Sequence, residues 1–205
     1  MSSEWKIGTL SQTSNIRYSH SDELSARVFT GYTQETAWCA RMRRDPMYND
    51  EYIRTVISSD GVLAAQLYLV DRAIRIESSS LRMGGIGAVG TDPAYRKKGL
   101  AGMLMRDTIT YMDDKGFDVS ILFSIPADYY TRFGYMTVLP DYTTTIRGLA
   151  TLNHLKTIPA RLKTRPLLRK DLPYLAPLYD LSYHEVTGSC IRNESHWKWL
   201  TTHPD

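Results

Sequence analysis

The sequence predicts an α/β (α+β) fold with a mixed, mostly antiparallel sheet that is flanked by helices. Residues 51–58 alternate apolar and polar side chains, and further apolar segments separated by turn signals follow as far as residue 91, which is typical of consecutive strands. In residues 100–115 the apolar side chains fall on one helical face. The short apolar run 119–123 then indicates a buried parallel strand. A meander followed by a strand–helix–strand unit gives a mixed sheet.

Turn residues divide the strand region. Asp60 and Gly61 are a strong hairpin signal between two apolar runs. A second turn is expected at 71–73, where Asp and Arg interrupt the pattern. The strands are therefore expected at 51–58, 62–70, 74–77 and 83–91.

Helices are expected on both sides of this region. Residues 21–44 are predicted to be helical, with Ser21 at the start, Pro46 beyond the end and Gly31 dividing the segment into two. Gly116 stands where a left-handed cap would end the helix over 100–115.

Composition bounds the class of protein. The 205 residues are 42% apolar and 23% charged, which is typical of a globular chain and excludes a disordered or collagen-like one. A net charge of +3 is too small to argue for nucleic-acid binding. Cys39 and Cys190 are expected to be isolated thiols rather than a disulfide, and the five scattered histidines predict no metal site. The longest apolar run, 62–70, is too short to cross a membrane, so a cytoplasmic protein is expected.

The most informative stretch is 84–101, GGIGAVGTDPAYRKKGLA. It places a basic, glycine-containing loop between a strand and the start of a helix, where free N–H groups and the helix dipole attract anions. A diphosphate suits this arrangement, although a solvated basic turn would have the same residues. The loop is neither a Walker loop nor a dinucleotide fingerprint.

Two motifs in this chain resemble those of the GNAT superfamily of N-acetyltransferases. The first is Arg-x-x-Gly-x-Ala at 96–101, with Asp-Pro-x-Tyr at 92–95; the second is the run DYYTRFGY at 128–135. The combination is most similar to the Eis-like branch, in which a second GNAT-like domain follows the first. The resemblance implies an acetyl-CoA-binding domain over 1–155 and, over 156–205, a linker and the beginning of a second domain that is expected to be incomplete. In that second part Trp197 and Trp199 are expected to be buried by a partner domain.

The resemblance also implies roles for individual residues. It predicts a sheet that splays at the cofactor cleft, with the Val89 amide directed at the thioester carbonyl and Tyr130 as the general acid. Tyr129 and Tyr135 are the neighbours most easily confused with Tyr130, which also has a plain interpretation as a core aromatic. Glycines on the strand fit a ligand's approach or simply a weak strand. The residues expected to contact acetyl-CoA are Ala88, Val89, Gly90, Arg96, Lys97, Lys98, Gly99, Leu100, Ala101, Ser124 and Ile125.

The activity expected is transfer of an acetyl group from acetyl-CoA to a primary amine of a small molecule, by direct attack in a ternary complex. A non-catalytic CoA-binding sensor or scaffold is the alternative. The general base stays unassigned, because in Eis-like relatives it is a carboxylate at the end of a C-terminal domain. Trp38 and Tyr32 are expected either to face the amine pocket or to pack in the core. Assembly into a homo-oligomer stays open.

Overall fold

The computed structural model describes residues 5–13, 15–29, 35–123, 128–138 and 165–202. Its strands are β1 (Trp5–Thr9), β2 (Ile53–Ser58), β3 (Leu63–Ile76), β4 (Ser79–Thr91), β5 (Val119–Leu122) and β6 (Cys190–Ile191). Its helices are α1 (Tyr18–Val28), α2 (Glu35–Met42), α3 (Leu100–Asp114), α4 (Asp128–Thr131), α5 (Leu172–Tyr183) and α6 (Glu194–Thr202).

The strands form one sheet in the order β1-β2-β3-β4-β5, and β6 pairs with the far end of β3. Every pairing is antiparallel except that of β4 with β5, which is parallel. A chain that must cross from β4 to a parallel neighbour needs a helix between them, and α3 supplies it. The predicted mixed α/β fold is confirmed.

The predicted turn at 71–73 is wrong, because β3 runs without a break to Ile76. Asp71 is buried in the strand and accepts hydrogen bonds from the Tyr52 hydroxyl at 2.8 Å and the Arg82 Nη2 at 2.7 Å. Arg72 is paired with the buried Asp45. Polar residues that find buried partners remain in the ladder, so they do not mark a turn here.

The other local predictions hold in outline. The segment 21–44 divides into α1 and α2, and the Asp60–Gly61 turn joins β2 to β3, with Gly61 at φ +81°. Gly116 follows α3 at φ +69°, as expected for a left-handed cap. Cys39 and Cys190 do not form a disulfide. The domain boundary expected at 155/156 lies outside the described residues.

Helices cover both faces of the sheet, and the glycines of β4 let them approach closely. A Cβ on Gly84 would overlap the Met112 Sδ of α3. On the opposite face, a Cβ on Gly87 would lie 3.0 Å from the Trp38 ring of α2. Helix packing therefore accounts for these glycines, which the sequence associated with ligand entry. Trp38 packs in the core beside the sheet, whereas Tyr32 lies outside the described residues.

The C-terminal segment packs against the same sheet. Trp197 and Trp199 are 6% and 7% exposed, so this chain itself buries them. The Trp199 ring lies 4.9 Å from the Arg41 guanidinium carbon, and Trp197 meets the Tyr179 ring edge-on at 5.4 Å. The expectation that a partner domain would bury these rings is therefore wrong. Among the described helices, none is both long and apolar enough to span a bilayer.

His196 in α6 is 6% exposed. Burial and the nearby guanidinium groups of Arg72, Arg192 and Arg41 lower the pKa of His196 to about 4, against a weaker opposite effect of Asp45. Each of these causes except Asp45 disfavours the imidazolium form. The folded protein therefore holds this ring neutral at neutral pH.

We expect acid to destabilise the protein through His196. Between pH 6.5 and 4 the unfolded chain binds the proton more readily than the folded one, so stability falls as the pH falls. The His196→Gln variant should lack this component, which amounts to at most about 3 kcal/mol. Urea unfolding of both proteins at pH 7 and pH 4.5 measures it. Parallel pH dependence of the two proteins would contradict the expectation.

Candidate functional site

The sheet opens between β4 and β5. The two strands pair only from Met83 opposite Val119 to Ile86 opposite Leu122. β4 continues to Thr91, still paired with β3 on its other side. Beyond Ile86 no described residue pairs with the edge of β4 that faced β5, and an extended ligand can approach this edge.

A bulge lies just beyond the opening. Gln66 pairs with Gly90 and Tyr68 with Gly87, so Ala88 and Val89 together stand opposite one residue of β3. Ala88 has a φ of +47°, which is unusual for a residue with a Cβ. The extra residue of a bulge is left out of the ladder, so its backbone groups are available to a ligand. Ala88 packs on the α2 side of the sheet and Val89 on the α3 side.

The loop after β4 is anchored at both ends. Asp92 accepts from the Arg27 Nε of α1 at 3.0 Å and donates its backbone N–H to the Ala64 carbonyl of β3 at 2.9 Å. At the other end, the Lys98 Nζ lies 5.2 Å from the centre of the Trp5 ring and 5.8 Å from that of Tyr95. These contacts hold the intervening residues in place above the helix.

The loop turns into α3 through two left-handed residues. Lys97 has a φ of +64° and Gly99 a φ of +79°, and Leu100 then begins the helix. A left-handed residue followed by a helical one directs successive N–H groups to one side, which makes a concave anion site. The positive end of the helix dipole adds to its attraction for a phosphate.

An open cleft of about 360 Å³ lies between this loop and α4. Its volume falls in the range of small-molecule sites. The cleft is lined by Thr91, Arg96, Lys97, Gly99, Leu100, Ala101, Gly102, Arg106, Tyr129, Arg132 and Phe133. Five of the six predicted loop residues are in this lining; Lys98 is not, because its ammonium lies at the Trp5 and Tyr95 rings.

Arg106 and Arg132 also line the cleft, although the sequence reading did not single them out. Arg106 lies seven residues after Gly99 and hence two helical turns along the same face of α3, a spacing that would have found it. Arg132 stands inside the second motif, DYYTRFGY, in which the resemblance implied a role only for Tyr130. Its position at the cleft depends on how α4 packs, which no local pattern specifies.

Cations dominate the electrostatics of the cleft. Among the described residues, none forms an ion pair with Arg96, Lys97, Arg106 or Arg132. Elsewhere in the described parts, carboxylates hold Arg27, Arg43, Arg54, Arg72, Arg75, Arg82 and Arg165. Like charges gathered without counter-charges repel one another, so this arrangement favours binding of a polyanion.

Tyr130 lies in α4 and packs against the core between α3 and β4. Its ring is 5.0 Å from that of Tyr129 and 6.3 Å from that of Tyr135. The Tyr135 hydroxyl is 2.6 Å from the Ser120 Oγ, which itself donates to the Gly84 carbonyl at 2.8 Å. Burial raises the pKa of Tyr135. Tyr135 therefore links the segment after α4 to the paired part of the sheet.

The predicted cofactor contacts Ser124 and Ile125 lie outside the described residues.

An open mixed sheet with a basic loop at the mouth of its cleft is the arrangement that the resemblance to the GNAT superfamily implies. The family described as "Acetyltransferase (GNAT) domain" matches residues 16–138, more than half of the chain. The chain belongs to this family. No curated protein gives a significant match to the sequence.

Solved structures share the fold. A GCN5-related N-acetyltransferase from Anabaena variabilis superimposes with a TM-score of 0.70 at 19% identity, over 98% of this chain and 48% of that one. One from Kribbella flavida gives 0.64 at 19% identity, over 98% and 51%. Glucosamine-6-phosphate N-acetyltransferase from Arabidopsis thaliana gives 0.51 at 17% identity, over 70% and 99%. This chain thus spans about half the length of the first two proteins.

We expect Gly99→Ala to weaken binding of CoA by about tenfold or more, because the new methyl group would enter the cleft and strain a left-handed residue. Gly61→Ala is a matched control: both glycines have φ near +80°, and a Cβ at either would have no atom within 4 Å. Both variants should lose about 1–2 kcal/mol of stability. Calorimetric titration and urea unfolding measure the two effects, and equal loss of affinity in both variants would contradict the assignment.

Proposed function

We propose that the protein transfers an acetyl group from acetyl-CoA to a primary amine by direct attack in a ternary complex. The observation that carries the proposal is the succession, at the end of β4, of a strand edge that no described residue pairs, a bulge, and a loop whose cleft is lined by four cations without an ion-pair partner among the described residues. Membership of the GNAT acetyltransferase family supports acetyl transfer in general. Assignment to the Eis-like branch, a cytoplasmic location and a small-molecule acceptor are parts of the same proposal.

The residues present fit the pyrophosphate of CoA. Arg96 and Lys97 supply positive charge, and the N–H groups at the start of α3 supply donors. Gly99 and Ala101 leave room for the backbone to approach a phosphate. Lys98 lies beside the anion site rather than in it, and in this proposal it positions the loop through its contact with the Trp5 ring.

The strand edge beyond Ile86 receives the pantetheine arm. Ala88, Val89 and Gly90 offer backbone groups along the edge that β5 has left. Val89, as part of the bulge, donates its N–H toward the thioester carbonyl oxygen, where negative charge develops during attack. When bound, acetyl-CoA supplies an activated acyl group and a thiolate leaving group.

Tyr130 donates the proton that the departing sulfur needs. The amine nitrogen forms a bond to the carbonyl carbon, the carbon–sulfur bond breaks, and its electron pair leaves on sulfur. A phenol, with an ordinary pKa near 10, is a weaker acid than a thiol near 8.5, but this difference is small enough for a tyrosine to protonate a thiolate that it contacts. The nucleophile is the free amine, formed when the ammonium ion loses a proton to solvent or to a base. After the bond to carbon has formed, the nitrogen loses a second proton to solvent or to a base, and solvent returns a proton to the Tyr130 phenolate, so that the products are the amide and the free thiol.

Turnover with a panel of amines tests the proposal against the non-catalytic alternative. Release of free thiol from acetyl-CoA should depend on the amine and should saturate with both substrates. The panel includes an aminoglycoside, a polyamine, a lysine peptide and small metabolite amines. Tight binding of CoA without turnover on any of them would instead favour the sensor or scaffold function.

Replacement of Tyr130 by Phe should lower kcat by about 100-fold or more and change the Kd for acetyl-CoA by less than about twofold. Tyr135→Phe is the matched control: it removes a hydroxyl bonded to Ser120, so it should cost about 1 kcal/mol of stability while kcat is largely kept. Steady-state kinetics and calorimetric titration measure both variants. A Tyr130→Phe variant that lost affinity and turnover equally would remove the proposed role.

A further inference from the structure

The cleft contains two arginines, Arg106 and Arg132, beyond the positive charges that a diphosphate at the loop requires. Arg106 lies in α3 and Arg132 directly follows α4, and both line the same cleft as the loop. Arg96, Lys97 and the start of α3 already provide the charge and donors for two phosphoryl groups. A ligand with one further anionic group would use the remaining pair.

Neither guanidinium group forms an ion pair with a carboxylate of the described residues. Asp107, the acid next to Arg106 in sequence, is paired with Arg54 of β2. In the described parts of the chain no carboxylate is paired with Arg106 or Arg132. Arg132 is held by the backbone of α4, which it follows: its Nε donates to the Tyr129 carbonyl at 3.0 Å.

The geometry places these charges beside an aromatic surface. A Cβ at Gly102 would lie 3.6 and 3.7 Å from the two terminal nitrogens of Arg106, and 3.7 Å from the Phe133 Cζ. The Arg132 guanidinium carbon lies 4.2 Å from the centre of the Tyr129 ring. The Arg106 head group and the Phe133 ring therefore both pack against Gly102. Aromatic rings beside cations favour a heterocyclic base next to a phosphate.

The spacing identifies which part of a nucleotide would lie here. Arg106 follows Gly99 by seven residues, so its Cα is about 10 Å along the axis of α3 from the start of the helix. A long helical side chain leans back toward the N-terminus, which shortens this offset. The further anionic group of the ligand would therefore lie near the diphosphate without being part of it. A phosphate on the sugar that carries the diphosphate has this position.

We propose that Arg106 and Arg132 bind the 3′-phosphate of CoA, with Tyr129 and Phe133 beside the adenine, so that the protein selects 3′-phosphorylated CoA. This inference rests on the proposed function, because it assigns the nucleotide end of the same ligand. It assigns these residues to affinity and selectivity, whereas the chemistry takes place at the other end of the ligand.

The test compares acetyl-CoA with acetyl-3′-dephospho-CoA by calorimetric titration at one ionic strength. The wild-type protein should prefer the phosphorylated form by about tenfold. Arg106→Gln and Arg132→Gln should each weaken acetyl-CoA binding by about fivefold to tenfold and leave the dephospho form within about twofold. The control is Arg44→Gln, which removes the same charge from an exposed position that is not part of the cleft lining and should change neither affinity.

Each outcome decides a separate point. Equal affinity of the wild-type protein for both forms would overturn the inference while the proposed function stands. Variants that weaken both forms equally would also overturn it, because the arginines would then act on the diphosphate or on the fold. Failure of the wild-type protein to bind either form would instead remove the proposed function.

Discussion

The early end of the pairing between β4 and β5 is the constraint on which the site depends. β3 holds the whole of β4 on one side, whereas β5 holds it only as far as Ile86. A strand that is bonded on one side keeps its shape and still offers its other edge to a ligand. The bulge at Ala88 and Val89 falls in this stretch, and the loop that follows begins where β4 ends. The open edge, the bulge and the loop therefore follow one another along the chain from Ile86 to the start of α3.

The surrounding contacts make this arrangement rigid. Asp92 joins the loop to α1 and β3, and Lys98 and Tyr95 join it to the Trp5 ring on β1. The strained Lys97 sits between these anchors, where the neighbours determine its backbone conformation. A phosphate site built this way has little ordering entropy left to lose when it binds its ligand. That property suits either an enzyme or a CoA-binding sensor, and only turnover separates the two.

Local signals predicted the elements well where the chemistry of the residues acts locally. The Asp60–Gly61 turn, the cap at Gly116 and the apolar face of α3 depend on neighbours within a few positions, so the sequence contains the whole signal. The turn expected at 71–73 failed for the opposite reason. Asp71 accepts hydrogen bonds from residues 19 and 11 positions away in the chain. When only its sequence neighbours are considered, a charged residue with such distant partners resembles a turn residue.

By itself the sequence determined the class of fold through regular periods, and it predicted a phosphate loop and the candidate acid Tyr130 through two short motifs that resemble those of a family. Tertiary structure alone decided which cations reach the cleft: it brought Arg106 and Arg132 in and placed Lys98 at the Trp5 ring. It also buried Trp197 and Trp199 within this chain. The place at which a side chain lies depends on packing between elements that are far apart in the chain. A local pattern in the sequence does not encode that packing directly.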